Sequence, residues 1–359
     1  MKILIAGDWH SELHEEAVYQ ALLQLGHKPL RFAWHEYFRP QGSLSKLGLP
    51  LLKAQNKYMF GPVVDCLNRD IISRIEKEQP ELVFVYRGSH IYPETLHRMR
   101  EVAPQAILVG YNNDDPFSPL YPKWKWRHFL AGVPEYDLVL AYRVHNIEEF
   151  KAVGAKRVEL LRSWFIPERN YPIELSEDER KRFECDVVFI GHYEDDGRLA
   201  CLEEIARRGW RLRIFGPGYE WNPILRRSDL LHEYMPVNLV WGRDYNRALC
   251  GARVALCFFS KLNRDTYTRR CFEIPSSGTV LMSEYSDDLA GMFEPDEEAI
   301  YFRDTQELLM KLNSLLVDDL KIKKIAAAGV RRVWSDRHDV ISRMRDMVAW
   351  VDNIVKDAK

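Results

Sequence analysis

Residues 265–284 read DTYTRRCFEIPSSGTVLMSE. An acid, two adjacent arginines and a Phe-Glu pair lead into Ile-Pro-Ser-Ser-Gly and then an apolar run. This order predicts a loop, a short helix carrying Glu273, a tight turn at Gly278 and a buried strand over 280–282. A helix start beside Arg269 and Arg270 suits a diphosphate, because the open N–H groups and the guanidinium charges both favour an anion. A carboxylate one turn further in suits a ribose or sugar diol. The alternative for Glu273 is a helix carboxylate paired with Arg269 or Arg270. For Arg269 it is a side chain on another helix face.

The same strand-then-helix alternation extends in both directions. Downstream come a strand at 299–302, a helix at 306–317 and a last helix at 339–355 whose apolar residues keep a 3.6-residue period. Upstream, 186–190 is a strand ending in Gly191-His192-Tyr193. A helix at 199–208 and a strand at 211–215 follow, the strand ending in Gly216-Pro217-Gly218. The segment 237–241, a helix around 245–250 and a strand at 254–259 lead to the opening stretch. The first half repeats the logic, beginning with KILIA at 2–6 and a helix ending at Gly26. Further strands fall at 29–34, 82–86, 106–111, 138–142 and 157–161. The expected class is α/β with two Rossmann-like domains facing each other across a cleft. Residues 166–185 hold two prolines and a dense charge run and read as the linker. The expected domains are 1–170 and 171–337, followed by a terminal helix at 338–359.

Composition narrows the function. The chain of 359 residues is too long for one typical core. A net charge of −2 gives no global pull toward nucleic acid, and no nucleic acid partner is expected. The six cysteines show no CxxC and no His/Cys ligand spacing, so buried reduced thiols are expected rather than zinc or disulfides. No G-x-G-x-x-G follows the first strand, which argues against a dinucleotide enzyme. No apolar run approaches a membrane span, and the default expectation is a cytoplasmic enzyme.

Residues at the carboxyl ends of parallel strands are the candidates for chemistry. In the second half these are Gly191, His192, Tyr193, Gly216, Pro217, Gly218, Lys261, Asp265, Arg269, Arg270 and Glu273. Glycines let a backbone approach a phosphate closely, and Lys261 with the arginines can neutralise a diphosphate leaving group. In the first half they are Asp8, His10, Asp114 and Asp115, which follow strands of one sheet. A histidine polarised by an aspartate would be a general base. The alternatives are a helix-capping loop for His10 and turn chemistry before Pro116 for Asp114-Asp115. Two basic-aromatic patches, 44–58 and 121–128, read either as loops covering the sheet or as a surface touching an acceptor or a membrane.

The stretch 268–281 (TRRCFEIPSSGTVL) resembles the C-terminal signature of CgeB-like glycosyltransferases of the group 1 glycosyltransferase superfamily. So do VVFIG at 187–191, LRIFG at 212–216 and the order of acids and small residues over 287–329. The resemblance covers about 185–345 well and the first half loosely. It implies a GT-B fold, with the last helix (338–359) crossing back to pack on the first domain, and a nucleotide-sugar donor (UDP, dTDP or GDP) held mainly by the second domain. It further implies a hydroxyl acceptor on a glycan, a lipid-linked sugar or a small molecule, with no cofactor and no metal. Many members carry Glu-x7-Glu, the second Glu on the ribose and the first near the donor sugar. Glu273 falls on the second position and Asp265, a shorter acid, on the first. A His-Asp base pair is also similar to the dyad of plant-type inverting enzymes. Two rivals stay open: a GT-B epimerase or hydrolase of the nucleotide-sugar itself, and a non-catalytic binder of it.

Overall fold

Among the described residues, eleven short strands pair in parallel to form two separate sheets. The computed structural model describes residues 1–40 and 48–357. Two units emerge. One comprises Met1–Arg162 with Val340–Lys359, the other Ser163–Asp339.

Unit 1 holds β1 (Lys2–Gly7), β2 (Lys28–Ala33), β3 (Leu82–Tyr86), β4 (Ile107–Asn112), β5 (Leu138–Ala141) and β6 (Val158–Leu160), in the spatial order β2-β1-β3-β4-β5-β6. Strand β3, LVFVY, is buried along its whole length. Such a run forms a central parallel strand because helices cover both of its faces. The chain moves from β1 outward to β2 and then returns to the other side of β1 with β3. The strand order therefore reverses between β1 and β3, which is where open parallel sheets bind ligands.

Unit 2 repeats the plan with β7 (Cys185–Ile190), β8 (Leu212–Phe215), β9 (Ala252–Cys257), β10 (Val280–Glu284) and β11 (Ile300–Phe302), in the order β11-β10-β9-β7-β8. Its reversal lies between β7 and β9. The expected strand at 280–282 is therefore β10, entered from helix Arg270–Ser276 through a left-handed turn at Gly278.

The last helix, Val340–Asp357, belongs with unit 1. It packs on helix Glu15–Gln24 and buries Val340, Met344, Met347 and Val351. Its outer end is tied down by Arg157 donating to Asp357 at 2.8 Å.

Several expectations change. Residues 237–241 are irregular rather than regular secondary structure. Within the expected linker, Ser176 and Glu179 form a reciprocal capping box that starts helix Glu177–Phe183. Helices Gly218–Leu225 and Asp319–Ser335 were not anticipated. Residues 44–47 of the first basic patch lie outside the described residues. The rest of it forms helix Gly48–Tyr58, which buries none of its own residues and so does not cover the sheet as a packed layer. Cys185, Cys201, Cys257 and Cys271 are buried, Cys66 and Cys250 are partly so, and all six are free thiols. No helix among the described residues is long and apolar enough to cross a membrane.

Candidate functional site

In unit 2 the loops after β7, β8 and β9 converge with helix Arg270–Ser276. Glu273 is 3% exposed. Its carboxylate accepts a 2.7 Å hydrogen bond from Tyr245 and lies 3.4 Å from Arg269 Nε, one turn earlier. The pairing with Arg269 that competed with a ligand role is thus present, and Tyr245 adds a second clamp. Burial and the facing carboxylate both push the Tyr245 hydroxyl well above its ordinary range, so it stays a proton donor to Glu273.

Arg270 reaches back under the first loop. One guanidinium nitrogen donates to Ile190 O at 3.2 Å, and its Nε is buried without a partner. Burial would lower its pKa, but the thiol of Cys257, the Tyr245 hydroxyl and Glu273 outweigh that and raise it, so it stays a cation. Cys257 lies 3.8 Å from Cys271. The Cys271 thiol and the Arg270 charge together lower the Cys257 pKa.

Two of the three glycines, Gly216 and Gly218, have a backbone packing reason. A side chain at Gly216 would collide with the carbonyl of Gly191, which accepts from Trp221 Nε1 at 2.8 Å. A Cβ at Gly218 would come within 2.6 Å of Val237 O. These loops approach each other this closely, so their glycines are explained before any phosphate is considered. Pro217 precedes the helix that Gly218 begins. His192 is exposed and sits 3.1 Å from Glu220, which also accepts from the Tyr193 backbone at 3.2 Å. Arg198, buried against Asp196, donates to His192 O at 2.6 Å and fixes the loop from inside. Lys261 pairs with Glu284 at 3.2 Å. Asp265 and Ser260 exchange two backbone-anchored hydrogen bonds, of 3.0 and 3.3 Å, closing the loop after β9.

In unit 1 the structure pairs His10 with Asp8, Nδ1 to Oδ2 at 2.6 Å. The residue between them, Trp9, has φ +58, a left-handed conformation rare for a large aromatic. Its buried ring packs on Tyr19 and under Arg31, which holds it there. The buried Glu15 accepts from the Asp8 backbone at 2.8 Å, while Asp8 O meets His35. The Asp8 hydrogen bond and charge raise the His10 pKa against the effect of burial. Burial would raise Asp8, but His10 and Arg87 lower it on balance.

Asp114 and Asp115 have other partners. Arg87, at φ +68 after β3, binds Asp114 at 2.5 Å and Asn113 at 3.2 Å. Asp115 is fully buried and accepts from Asn146 and the Phe117 backbone, each at 3.0 Å, with His145 at 3.4 Å. Asp115, His145 and Glu149 offer ligand atoms within 4.8 Å of one another, the spacing of a metal cluster. Asn146 Nδ2 donates to both carboxylates, at 3.0 and 2.8 Å. The sequence did not single out Tyr245, Arg87, Asn146 or Arg198, whose roles depend on partners distant in the chain.

With this geometry in hand, comparison with known proteins is informative. Residues 198–349 match the family model described as Glycosyl transferase-like. No curated protein matches the chain. Solved structures match along its whole length. Anabaena Alr3699/HepE, in complex with UDP and glucose, has TM-score 0.68 at 12% identity, covering 98% of this chain and 100% of that one. Sucrose-phosphate synthase from Thermosynechococcus elongatus has TM-score 0.69 at 13% identity, covering 99% of both chains. An α,α-trehalose 6-phosphate synthase from Burkholderia multivorans has TM-score 0.64 at 11% identity, covering 100% and 99%. The fold is GT-B. At these identities the likeness speaks for the fold alone. The glycosyl transferase-like segment begins at Arg198 and takes in the rest of unit 2, including Lys261, Asp265, Arg270 and Glu273.

Proposed function

We propose that the protein is a glycosyltransferase that moves a sugar from a nucleoside diphosphate to a hydroxyl acceptor, within the group 1 superfamily and closest to its CgeB-like members. The observation that carries this reading is Glu273. It is a buried carboxylate held by Tyr245 and Arg269, beside a buried arginine whose Nε has no partner, inside the glycosyl transferase-like segment. Glu273 would accept from the ribose diol. Arg270, with Lys261, would balance the diphosphate charge as the sugar leaves, work done by side-chain cations rather than a metal. Asp265 would contact the donor sugar. UDP is the first nucleotide to try, since Alr3699/HepE was solved with UDP and with UDP-glucose.

His10 is the base of this proposal for an inverting reaction. Asp8 holds the proton on Nδ1, which leaves Nε2 free to take one from the acceptor hydroxyl. Asp114 and Asp115 are assigned supporting parts: Asp114 orients Arg87, and Asp115 braces the loop after β4.

The test is donor turnover followed by nucleotide release, with a panel of sugar nucleotides and of glycan and lipid-linked acceptors. Nucleoside diphosphate released only when an acceptor is present supports transfer. Equal release without one points to a hydrolase. An altered sugar nucleotide with no release points to an epimerase, and binding without turnover to a non-catalytic protein.

A further inference from the structure

Helix Gly48–Tyr58 buries none of its residues, and large apolar side chains stand in the open along it and just beyond. Leu51 is 64% exposed and Phe60 70%. Leu120, at the entrance to the second basic stretch, is 62% exposed. Side chains like these normally mark a surface that is covered in use.

The two stretches form one surface of unit 1. The rings of Tyr58 and Trp124 lie 5.2 Å apart. Arg127 donates to Tyr58 O at 2.6 Å, and His128 Nε2 is 3.0 Å from Met59 O. Within these two stretches the charge has one sign, while Asp65 (through Tyr92) and Glu94 of neighbouring helices flank His128. Lys53, Lys57 and Lys123 are exposed, and no Asp or Glu occurs in 48–64 or 116–134.

We propose that this surface docks unit 1 on an anionic lipid bilayer. The single sign of charge matches anionic headgroups, and the aliphatic Leu51 and Leu120 gain from an acyl layer what a soluble sugar or a nucleic acid base cannot give them. Tyr58 and Trp124 are the amphipathic rings favoured at headgroup depth. Lys57 sets its ammonium group 5.3 Å from the Tyr58 ring, which keeps the head outward while the stem covers apolar surface, and the half-buried Lys125 lies 5.4 Å from the Trp126 ring. Lys125 links this surface electrostatically to Arg87, Asp114 and Asp8, and so to the Asp8–His10 pair. On the glycosyltransferase reading, docking would bring a lipid-linked acceptor to that pair. The docking itself is measured without turnover, so the two can fail separately.

The experiment is co-sedimentation of the full chain with vesicles of phosphatidylglycerol and phosphatidylcholine, against phosphatidylcholine alone, at low and at high salt. Binding to the anionic vesicles is expected, with neutral vesicles at least ~10-fold weaker. The triple variant Lys53→Gln, Lys57→Gln, Lys123→Gln should lose about 100-fold at low salt. Leu51→Ser with Phe60→Ser should lose about 10-fold or more at every salt concentration, since apolar insertion is not screened. All five positions are exposed, so unchanged melting temperatures show that the variants fold. Wild-type protein left in the supernatant at low salt overturns the proposal. So do variants that bind as well as wild type, or a concentration-dependent dimer that disappears in the Leu51/Phe60 variant while vesicle binding is absent.

Discussion

A left-handed tryptophan turns Asp8 and His10 toward each other. Trp9 at φ +58 is a conformation that costs on the order of 1–3 kcal/mol, and it persists because the ring is packed and Glu15 ties the loop. If His10 is the base it must be neutral to act, and Asp8 lifts its pKa above 6.5. The kcat/KM profile should therefore rise with pH through a midpoint above 6.5, and Asp8→Asn should move that limb to lower pH. His10→Ala should lower kcat about 100-fold while leaving nucleotide affinity unchanged. A pH profile without this rising limb, or a near-normal rate for His10→Ala, would remove this pair from the mechanism. Local placement was legible: His10 falls in the loop after β1, paired with Asp8, and Glu273 falls in the short helix Arg270–Ser276. The grouping of His10 with Asp114 and Asp115 was not, because the order of residues along a strand end does not say which loops lean together. Arg87 and Asn146 took those acids instead. The glycines of Gly216-Pro217-Gly218 looked like phosphate glycines, and the contacts explain them as loop packing.

At the scale of elements, continuous apolar runs such as KILIA and LVFVY were read well, because a short run with no polar face fits a strand covered on both sides. Elements with a polar face were harder. Helix Glu177–Phe183 has the Ser176-x-x-Glu179 cap, but its charge run looks like a linker until Phe183 is seen to be buried. Helix Gly48–Tyr58 is amphipathic but buries none of its residues, so pattern alone could not assign it a neighbour. Just after β3 lies a buried group with a measurable consequence. His90 is stacked on Trp34 and bonded to Ser89 and Asn56, and burial pushes its pKa down to about 4. Its contribution to stability is complete above pH 6.5, where folded and unfolded chains both hold it neutral. As pH falls from 6.5 toward 4 the unfolded chain takes up the proton and the folded chain does not, so stability falls. The full effect is on the order of 3 kcal/mol. Thermal melts followed downward from neutral pH toward that lower value should show this slope for unit 1, and His90→Asn should flatten it. A slope unchanged in the variant would contradict the assignment.

For the whole molecule, two parallel sheets were readable from the repeated strand–helix alternation, whereas the strand order within each was not. The last helix follows unit 2 in sequence but packs with unit 1, as the family resemblance implied. Ending the chain after residue 339 should expose the surface now covered by Val340, Met344, Met347 and Val351, at a cost of several kcal/mol to unit 1. Limited proteolysis should then cut preferentially within 1–162 while unit 2 resists, and equal resistance of both units would contradict the packing. The central claim is that unit 2 holds a nucleoside diphosphate through Glu273. The most direct test is a calorimetric titration of UDP, GDP and dTDP into the wild-type protein and into Glu273→Gln. One of the three should bind the wild type saturably, at one site per chain. The variant should keep its melting temperature and lose about 10-fold to 100-fold in affinity, the range expected when hydrogen bonds to a charged acceptor are weakened. No binding of any of the three, or equal affinity in Glu273→Gln, would contradict the claim.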